Sequence, residues 1–266
     1  MRKLPIPVAV VAACLGALPA AASPGPATAD DTSIPVHRSP FAVVELFTSE
    51  GCSSCPPAEV LLNRIDRNAR DDNTRVFTLA FHVDYWNRLG WTDPFSDAAY
   101  SDRQRDYARA LRQRSVYTPQ MIVNGTDGFV GSSAPKARRA IGQALDTKPA
   151  LGIGFVAQPI GDNRRLSIDW RLDALPDNAT LNLAITENAL STDVPRGENR
   201  GRTLEHDGVV RALLTQTVHD QSGAWSTTVP SAVDLEQASA VLFVQDQTTR
   251  DILAVHRVDL HPSAGQ

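Results

Sequence analysis

A strand, a turn and a Cys-Ser-Ser-Cys sequence between residues 41 and 55 constrain the fold more than any other part of the chain. Residues 41–47 form a short apolar run rich in Val and Phe, which is typical of a strand buried on both faces. After Cys52 and Cys55, apolar residues recur at helical spacing. The two prolines that directly follow Cys55 fit only the first turn of a helix. The pattern therefore predicts that both cysteines lie at a helix N-terminus.

This position favours thiol chemistry at the two cysteines. Unpaired N–H groups and a partial positive charge at a helix N-terminus stabilise a thiolate, which is the nucleophile in disulfide exchange. We expect Cys52 to attack and Cys55 to resolve the mixed disulfide. A permanent structural disulfide and a metal site remain alternatives. The structural alternative is weakened by the short ring, which closes too small a loop to gain much from chain entropy.

Composition indicates a folded protein with one large or two ordinary domains. The chain has 266 residues, of which 42% are hydrophobic and 21% charged, with a formal net charge of −4. Neither a basic patch nor a recognition motif stands out in the sequence, so nucleic acid is not an expected partner.

The beginning of the chain has the pattern of an export signal. A basic start, an apolar run and an A-x-A site predict a signal peptide at 1–22, followed by a flexible leader at 23–38. The run is too short to span a bilayer, and no later run is longer, so we expect no transmembrane segment. We therefore expect a periplasmic or secreted protein, with lipoprotein anchoring at Cys14 as a minor alternative. Export would leave Cys52 and Cys55 as the remaining pair in an oxidising compartment.

The next elements predict a β-α-β unit followed by an insertion and a hairpin. A second apolar strand covers residues 75–83, and Asp93-Pro94 has the pattern of a helix N-cap followed by a first-turn proline. A Thr-Pro pair at 118 and 119 precedes a strand and an Asn-Gly turn, which together predict a β-hairpin. A last helix with an apolar face follows the hairpin.

The character of the sequence changes near residue 150. Residues 165–172 and 180–186 alternate between apolar and polar, and several further short strands follow with turn residues between them. This spacing predicts an antiparallel sandwich. We therefore expect two domains, an α/β domain at 39–149 and an all-β sandwich domain at 150–266.

The order of elements around the C-x-x-C, with the downstream Thr-Pro, resembles the thioredoxin fold. The chain also resembles a secreted, thioredoxin-like family of unknown function found mainly in proteobacteria. This resemblance covers nearly the whole chain after the leader, and it implies the fold but no established activity. The motifs that carry it are G-C-S-S-C-P-P-A at 51–58, F-H-V-D-Y-W at 81–86, G-W-T-D-P-F at 90–95, Y-T-P-Q-M at 117–121 and R-G-E-N at 196–199.

The resemblance implies roles for further residues. Glu45 resembles the buried acid that passes protons to the resolving thiol in thioredoxins, although it lies one residue further from the first cysteine; a carboxylate paired with lysine or arginine is the alternative. Pro119 matches the cis-proline beside the disulfide, where the backbone of Thr118 would bind an extended substrate. Trp86 and Trp91 are candidates for lining a substrate groove, or they pack the loop that carries them.

The leading functional prediction is a thiol–disulfide exchange protein that acts on the thiols or disulfides of exported proteins without a bound cofactor. The first alternative is a copper- or zinc-handling protein that uses Cys52 and Cys55 with His82 or His206 as ligands. The second alternative is a non-catalytic binding module with a structural disulfide. The loop at 196–202 is expected to be solvated and salt-bridged; the alternative is that its arginines and the nearby His206 face the first domain or an anionic partner.

Overall fold

The computed structural model describes residues 34–161 and 164–260, so the predicted signal peptide with Cys14 lies outside the described residues. The described chain contains thirteen strands, three α-helices and two short 3₁₀-helices. The 3₁₀-helices cover Asp84–Leu89 and Leu235–Gln237. The other elements, in chain order, are β1 (Ala42–Thr48), α1 (Pro56–Asp71), β2 (Val76–His82), α2 (Ala98–Ala110), β3 (Gln120–Val123), β4 (Asp127–Val130), α3 (Ala134–Leu145), β5 (Ile153–Ile160), β6 (Arg165–Leu172), β7 (Ala179–Glu187), β8 (Leu190–Val194), β9 (Arg202–His206), β10 (Val209–Thr217), β11 (Ser222–Thr228), β12 (Ala238–Asp246) and β13 (Ile252–Asp259).

One mixed sheet of eight strands organises the described chain. Its strand order is β13-β12-β7-β10-β2-β1-β3-β4. β1 and β2 are parallel, β3 and β4 form an antiparallel hairpin beside β1, and β7, β12 and β13 are antiparallel neighbours. Two smaller sheets accompany it, with orders β11-β6-β5 and β8-β9. The predicted hairpin after the Thr-Pro pair is confirmed.

The predicted fold class, a thioredoxin-like α/β domain followed by a separate all-β sandwich, is wrong. The described chain is mostly strand, and strands from both sides of residue 150 share the eight-stranded sheet. The alternating pattern of the later strands identified them as strands but carried no information about their neighbours in the sheet. The division into 39–149 and 150–266 as folding units stays a prediction, although the sheet crosses it.

The two halves of the sheet meet where β10 pairs with β2. Val209 lies opposite Ala80 in a parallel bridge, and the Ala80 N–H donates to the Gly208 carbonyl at 2.7 Å. Gly208 has a φ of +68°, and a Cβ at this position would lie 2.7 Å from the hydroxyl oxygen of Thr78. A glycine is therefore required for the close approach of the two strands.

The helices cover the sheet from opposite sides near β1. Alternate β1 residues, including Val44 and Leu46, pack against α1 and α3, whereas Val43 and Phe47 face α2. The prolines at the start of α1 occupy its first turn, as the sequence predicts. α2 begins after Asp97, whose side chain accepts a hydrogen bond from the Ala99 N–H at 2.8 Å. The three-stranded sheet packs on the alternating apolar residues of β7 and β12.

A buried ion pair fixes α2 to the sheet. Arg103 donates to both carboxylate oxygens of Glu45, at 2.7 and 2.9 Å, and both side chains are buried. Tyr107 donates a short hydrogen bond to Glu45, while Arg103 and Tyr107 also bond to Gln245 of β12. Burial lowers the pKa of Arg103, but the carboxylate of Glu45 more than offsets this and leaves that pKa raised. The cluster thus holds β1, α2 and β12 together.

Removing one member of this ion pair should destabilise the fold strongly. We expect Arg103→Met to lower the free energy of unfolding by about 3–5 kcal/mol, because it leaves the Glu45 carboxylate buried and uncompensated. The double substitution Glu45→Leu with Arg103→Met should recover most of this loss. Urea unfolding followed by circular dichroism measures both. The control is Arg105→Met, which removes a surface arginine of the same helix and should cost less than about 1 kcal/mol; an equal cost for the two arginines would contradict the assignment.

The last residues of the predicted leader are fixed in the structure. The backbones of His37 and Ile153 exchange two hydrogen bonds of 3.0 and 3.2 Å. The His37 ring stacks on His256 of β13, with ring centroids 4.4 Å apart. Burial, together with the nearby positive charges of His37, Arg75 and Arg257, lowers the pKa of His256 to about 4.

This histidine should make stability fall at mildly acidic pH. The folded-state pKa of His256 is depressed below the unfolded value of about 6.5, so the unfolded chain binds the proton first. Its contribution is complete above pH 6.5 and is lost as the pH falls towards 4. Because the side chain is partly exposed, we expect the free energy of unfolding to fall by about 1–2 kcal/mol. This is less than the whole difference between the folded and unfolded pKa would give. Urea unfolding at pH 7 and pH 5 measures the loss, which should be smaller in His256→Gln than in the wild type. An equal change in the free energy of unfolding in the two proteins would contradict this.

Candidate functional site

The cysteine turn joins the end of β1 to the start of α1. Cys52 and Cys55 form a disulfide, and Cys55 occupies the N-cap position of α1. The Cys55 N–H donates to the Cys52 carbonyl at 3.1 Å. Both cysteines are fully buried, whereas Ser53 and Ser54 between them are exposed. The helix N-terminus expected from the sequence is therefore present, with the sulfurs covered.

Two hydroxyl groups contact the sulfur of Cys52. Thr118 Oγ1 donates to Cys52 Sγ at 3.3 Å, and Ser54 Oγ lies 3.3 Å from the same sulfur. The hydroxyl oxygen of Thr118 in turn accepts a hydrogen bond from Trp86 Nε1 at 2.8 Å. The indole thus orients the threonine so that its proton points at the sulfur. The Thr118-Pro119 peptide bond is cis, as predicted.

The loop at 196–199 covers the cysteine turn. Asn199 Nδ2 donates to the carbonyls of Glu50 and Cys52, at 2.8 and 3.0 Å. Glu198 Oε2 accepts a hydrogen bond from the Ser53 N–H at 3.0 Å. The sequence suggested a solvated loop, but Asn199 is fully buried against residues almost 150 positions earlier.

Five buried acidic and histidine side chains lie behind this turn. His82 Nδ1 is 2.7 Å from Asp93 Oδ2, and His206 Nε2 is 3.1 Å from Glu50 Oε1. His206 Nδ1 faces Glu59 Oε2 at 3.4 Å. The histidines come from the ends of β2 and β9, which the pairing of β10 with β2 brings together.

The His82–Asp93 pair is electrostatically coupled. Burial alone would lower the pKa of His82, but the negative charge of Asp93 and its hydrogen bond outweigh burial and raise that pKa. Burial likewise opposes ionisation of Asp93, yet the charge of His82 and the donated hydrogen bonds leave the pKa of Asp93 lowered. The pair therefore favours an imidazolium beside a carboxylate.

A ring nitrogen of His82, a ring nitrogen of His206 and a carboxylate oxygen of Glu59 lie within 4.8 Å of one another. This grouping differs from the predicted alternative metal site of Cys52 and Cys55 with His82. The cysteines bond to each other, and the His82 ring instead lies against the His206 ring, with centroids 5.1 Å apart.

Comparison with protein families places the chain in one of them. A family model described as "Protein of unknown function (DUF1223)" matches residues 43–245. The chain belongs to the DUF1223 family. The expected membership of a family of unknown function is therefore confirmed. A search of curated proteins finds no match to this DUF1223 chain.

Solved structures share the architecture of this DUF1223 protein. A protein of Agrobacterium tumefaciens is 26% identical with a TM-score of 0.61, and the match covers 86% of this chain and 98% of that one. HBP35 of Porphyromonas gingivalis is 14% identical with a TM-score of 0.60, over 86% of this chain and 79% of that one. The second likeness concerns the fold alone. In the described part of the DUF1223 chain, no helix is long and apolar enough to cross a membrane.

The structure distributes the predicted site residues over two sides of the sheet. Glu45 lies on the α2 side of β1 with both oxygens bound by Arg103, whereas the cysteine helix packs on the other side. Trp86 contacts Thr118 near the disulfide, and Trp91 Nε1 donates to Glu50 Oε2 at 2.7 Å. The catalytic role of Glu45 stays a prediction; the ion pair gives it a clear structural role.

Sequence reasoning missed several residues of the site. Asp93 was predicted to cap α2, but it accepts hydrogen bonds from the Glu50 and Phe95 N–H groups and contacts His82. Glu59 has the spacing of an ordinary first-turn acid on α1. Two members of the cluster, His82 and His206, were named from the sequence as candidate metal ligands, but the sequence did not show that they lie together.

Removing the Thr118 hydroxyl should change the reduction potential of the disulfide. The Thr118→Val substitution deletes a donor that stabilises a Cys52 thiolate more than a disulfide sulfur. We expect the midpoint potential to fall by about 30–60 mV, which corresponds to a hydrogen bond to a charged group. Glutathione buffers with alkylation of free thiols measure this. Thr126→Val, an exposed threonine of the β3–β4 turn, is the control; identical potentials in all three proteins would contradict the assigned contact.

Proposed function

We propose that this DUF1223 protein is an exported thiol–disulfide exchange protein that acts through Cys52 and Cys55. The observation that carries the proposal is the Thr118 hydroxyl, which Trp86 orients and which donates to Cys52 Sγ beside a helix N-terminus. A donor aimed at the sulfur and the positive end of a helix both favour the thiolate. These features support Cys52 as the exchanging sulfur.

The exchange proceeds in two balanced steps. In the oxidising direction, a substrate thiolate attacks Cys52 Sγ, the Cys52–Cys55 bond breaks, and Cys55 leaves as a thiolate. A second substrate thiolate then attacks the substrate sulfur of the mixed disulfide and releases Cys52. The substrate dithiol releases its two protons to solvent as its thiolates form and loses two electrons, which the protein gains as the thiolates of Cys52 and Cys55. The reverse direction uses a Cys52 thiolate to attack a substrate disulfide and Cys55 to resolve it.

Access to the sulfur requires movement of its cover. Both cysteines are buried, so a substrate has to displace side chains around the turn. Trp86 lies against Gly51 of this turn, and the loop that carries Asn199 bonds to the Cys52 carbonyl. The loop is held to the turn by the hydrogen bonds from Asn199 and by the one that the exposed carboxylate of Glu198 accepts.

The proposed partners are thiols or disulfides of other exported proteins. This proposal rests on the signal-peptide pattern at 1–22, which predicts export to the periplasm or the exterior. In such a compartment two nearby cysteines form disulfides readily. The reaction itself needs no bound cofactor, because the electrons pass between sulfurs.

The midpoint potential of Cys52–Cys55 tests the proposal. The purified chain is equilibrated in glutathione buffers, free thiols are alkylated, and the products are counted by mass. Exchange-active pairs lie at about −120 to −270 mV, and stable structural disulfides fall below about −300 mV. We expect a value in the upper range, together with reduction or oxidation of a model protein substrate.

Two cysteine variants separate the roles of the sulfurs. Cys52→Ser should abolish exchange, whereas Cys55→Ser should trap a mixed disulfide with the substrate. Ser53→Ala, an exposed residue of the same turn, should leave exchange unchanged. A pair that stays oxidised in every buffer would instead favour a binding module with a structural disulfide, the alternative that the burial of both cysteines supports.

A further inference from the structure

The buried cluster behind the cysteine turn contains three converging donor atoms that exchange chemistry does not use. His82, His206 and Glu59 each offer one ligand atom within 4.8 Å of the other two. All three side chains are at least nine-tenths buried. The His206 Nδ1 to Glu59 Oε2 distance of 3.4 Å is longer than a good hydrogen bond. It matches the spacing of about 3.3 Å between two ligand atoms on one tetrahedral zinc ion.

Carboxylates orient both histidines toward this point. Asp93 holds His82 by Nδ1, which leaves Nε2 as the remaining nitrogen. Glu50 holds His206 by Nε2, which leaves Nδ1 toward Glu59. Histidine ligands of metals commonly donate their other ring N–H to a carboxylate in this manner. The arrangement therefore has the outer groups of a metal site as well as the inner ones.

The remaining nitrogen of His82 points to a missing partner. His82 Nε2 is buried and has no hydrogen-bond partner in the described chain. A buried unpaired nitrogen costs about 1–3 kcal/mol, so such groups are rare without a reason. Glu59 has an oxygen available as well, because Thr48 donates to Oε1 at 2.5 Å and leaves Oε2 facing His206.

The charge of the cluster favours a cation. The described ion-pair partners of Glu50, Glu59 and Asp93 are the two histidines. Three carboxylates therefore face at most two positive charges, even when both rings are protonated. As zinc ligands both rings are neutral, so Zn²⁺ would supply the two positive charges that the protons of two imidazolium rings supply in its absence.

We propose that this DUF1223 protein binds one Zn²⁺ ion through His82 Nε2, His206 Nδ1 and Glu59 Oε2. Two imidazoles and a carboxylate form a ligand set that zinc takes in four-coordinate sites with one open position. The set contains no thiolate and therefore does not suit copper(I). Glu59 also lines a surface cleft of about 750 Å³ between α1 and β9, which gives the ion a route to the site.

Zinc binding by the purified full chain with its disulfide intact tests this proposal. An intact disulfide prevents both cysteines from acting as thiolate ligands. After chelator treatment, Zn²⁺ is titrated against a chromophoric competitor, and Co²⁺ is used as a spectroscopic probe. We expect one ion per chain, and the ligand-field spectrum of Co²⁺ in four-coordinate N/O geometry without sulfur charge-transfer bands.

Ligand variants locate the site. His206→Gln and Glu59→Gln should each weaken Zn²⁺ binding by more than about 100-fold, and Asp93→Asn by about 10–100-fold because it removes only the orienting carboxylate. His219→Gln removes an exposed imidazole and is the matched control, with unchanged affinity. Cys52→Ser combined with Cys55→Ser should also leave affinity unchanged, which separates this site from the exchange reaction.

Three outcomes would overturn the proposal. The first is a wild-type chain that binds no Zn²⁺ at equimolar concentration. The second is binding that survives both ligand variants, and the third is binding that needs the free cysteines. Circular dichroism checks the fold of each variant. If the ligand variants do not fold, the Co²⁺ spectrum of the wild type decides, since no spectrum, or one with sulfur bands, contradicts the ligand set.

Discussion

The parallel bridge between β10 and β2 is the constraint on which the rest of the structure depends. It is short, with Val209 opposite Ala80, and it needs Gly208 for the strands to approach. The bridge nevertheless joins the early strands to the later ones in a single sheet. It also carries His206 to the end of β2, where His82 lies. The histidine cluster behind the cysteine turn is therefore a product of this junction.

Buried charges are handled in two different ways on the two sides of this sheet. Glu45 and Arg103 satisfy each other in a two-bond pair, and Tyr107 and Gln245 complete the set of hydrogen bonds. The charges in this cluster are paired within it, and the cluster stabilises the fold. The cluster on the other side contains more carboxylates than imidazoles and an unpaired nitrogen on His82. The unpaired nitrogen is the physical reason to propose a ligand for the second cluster, whereas the first cluster has no group that needs one.

Local features of the sequence predicted local structure well, because they depend on neighbouring residues. The strand before Cys52, the prolines that open α1 and the hairpin after the Thr-Pro pair follow from spacing and turn chemistry. Long-range pairing did not follow, because alternation assigns a face to a strand but not a neighbour. Arg103 illustrates the limit: helical spacing places it on the same face as Tyr100 and Tyr107, but nothing in the sequence shows that its partner is Glu45 of β1.

The loop that covers the disulfide comes late in the chain. The formation of the disulfide and its protection from solvent therefore depend on different parts of the sequence. Cys52 and Cys55 are three residues apart, so closing their ring does not require the later strands to be in place. Asn199, which bonds to the turn, follows Cys52 by 147 residues. Before the loop at 196–199 docks, an oxidant therefore meets exposed thiols, whereas a reductant acting on the folded chain meets a buried disulfide. The disulfide can thus form before it is buried, whereas its reduction in the folded chain requires displacement of the covering loop.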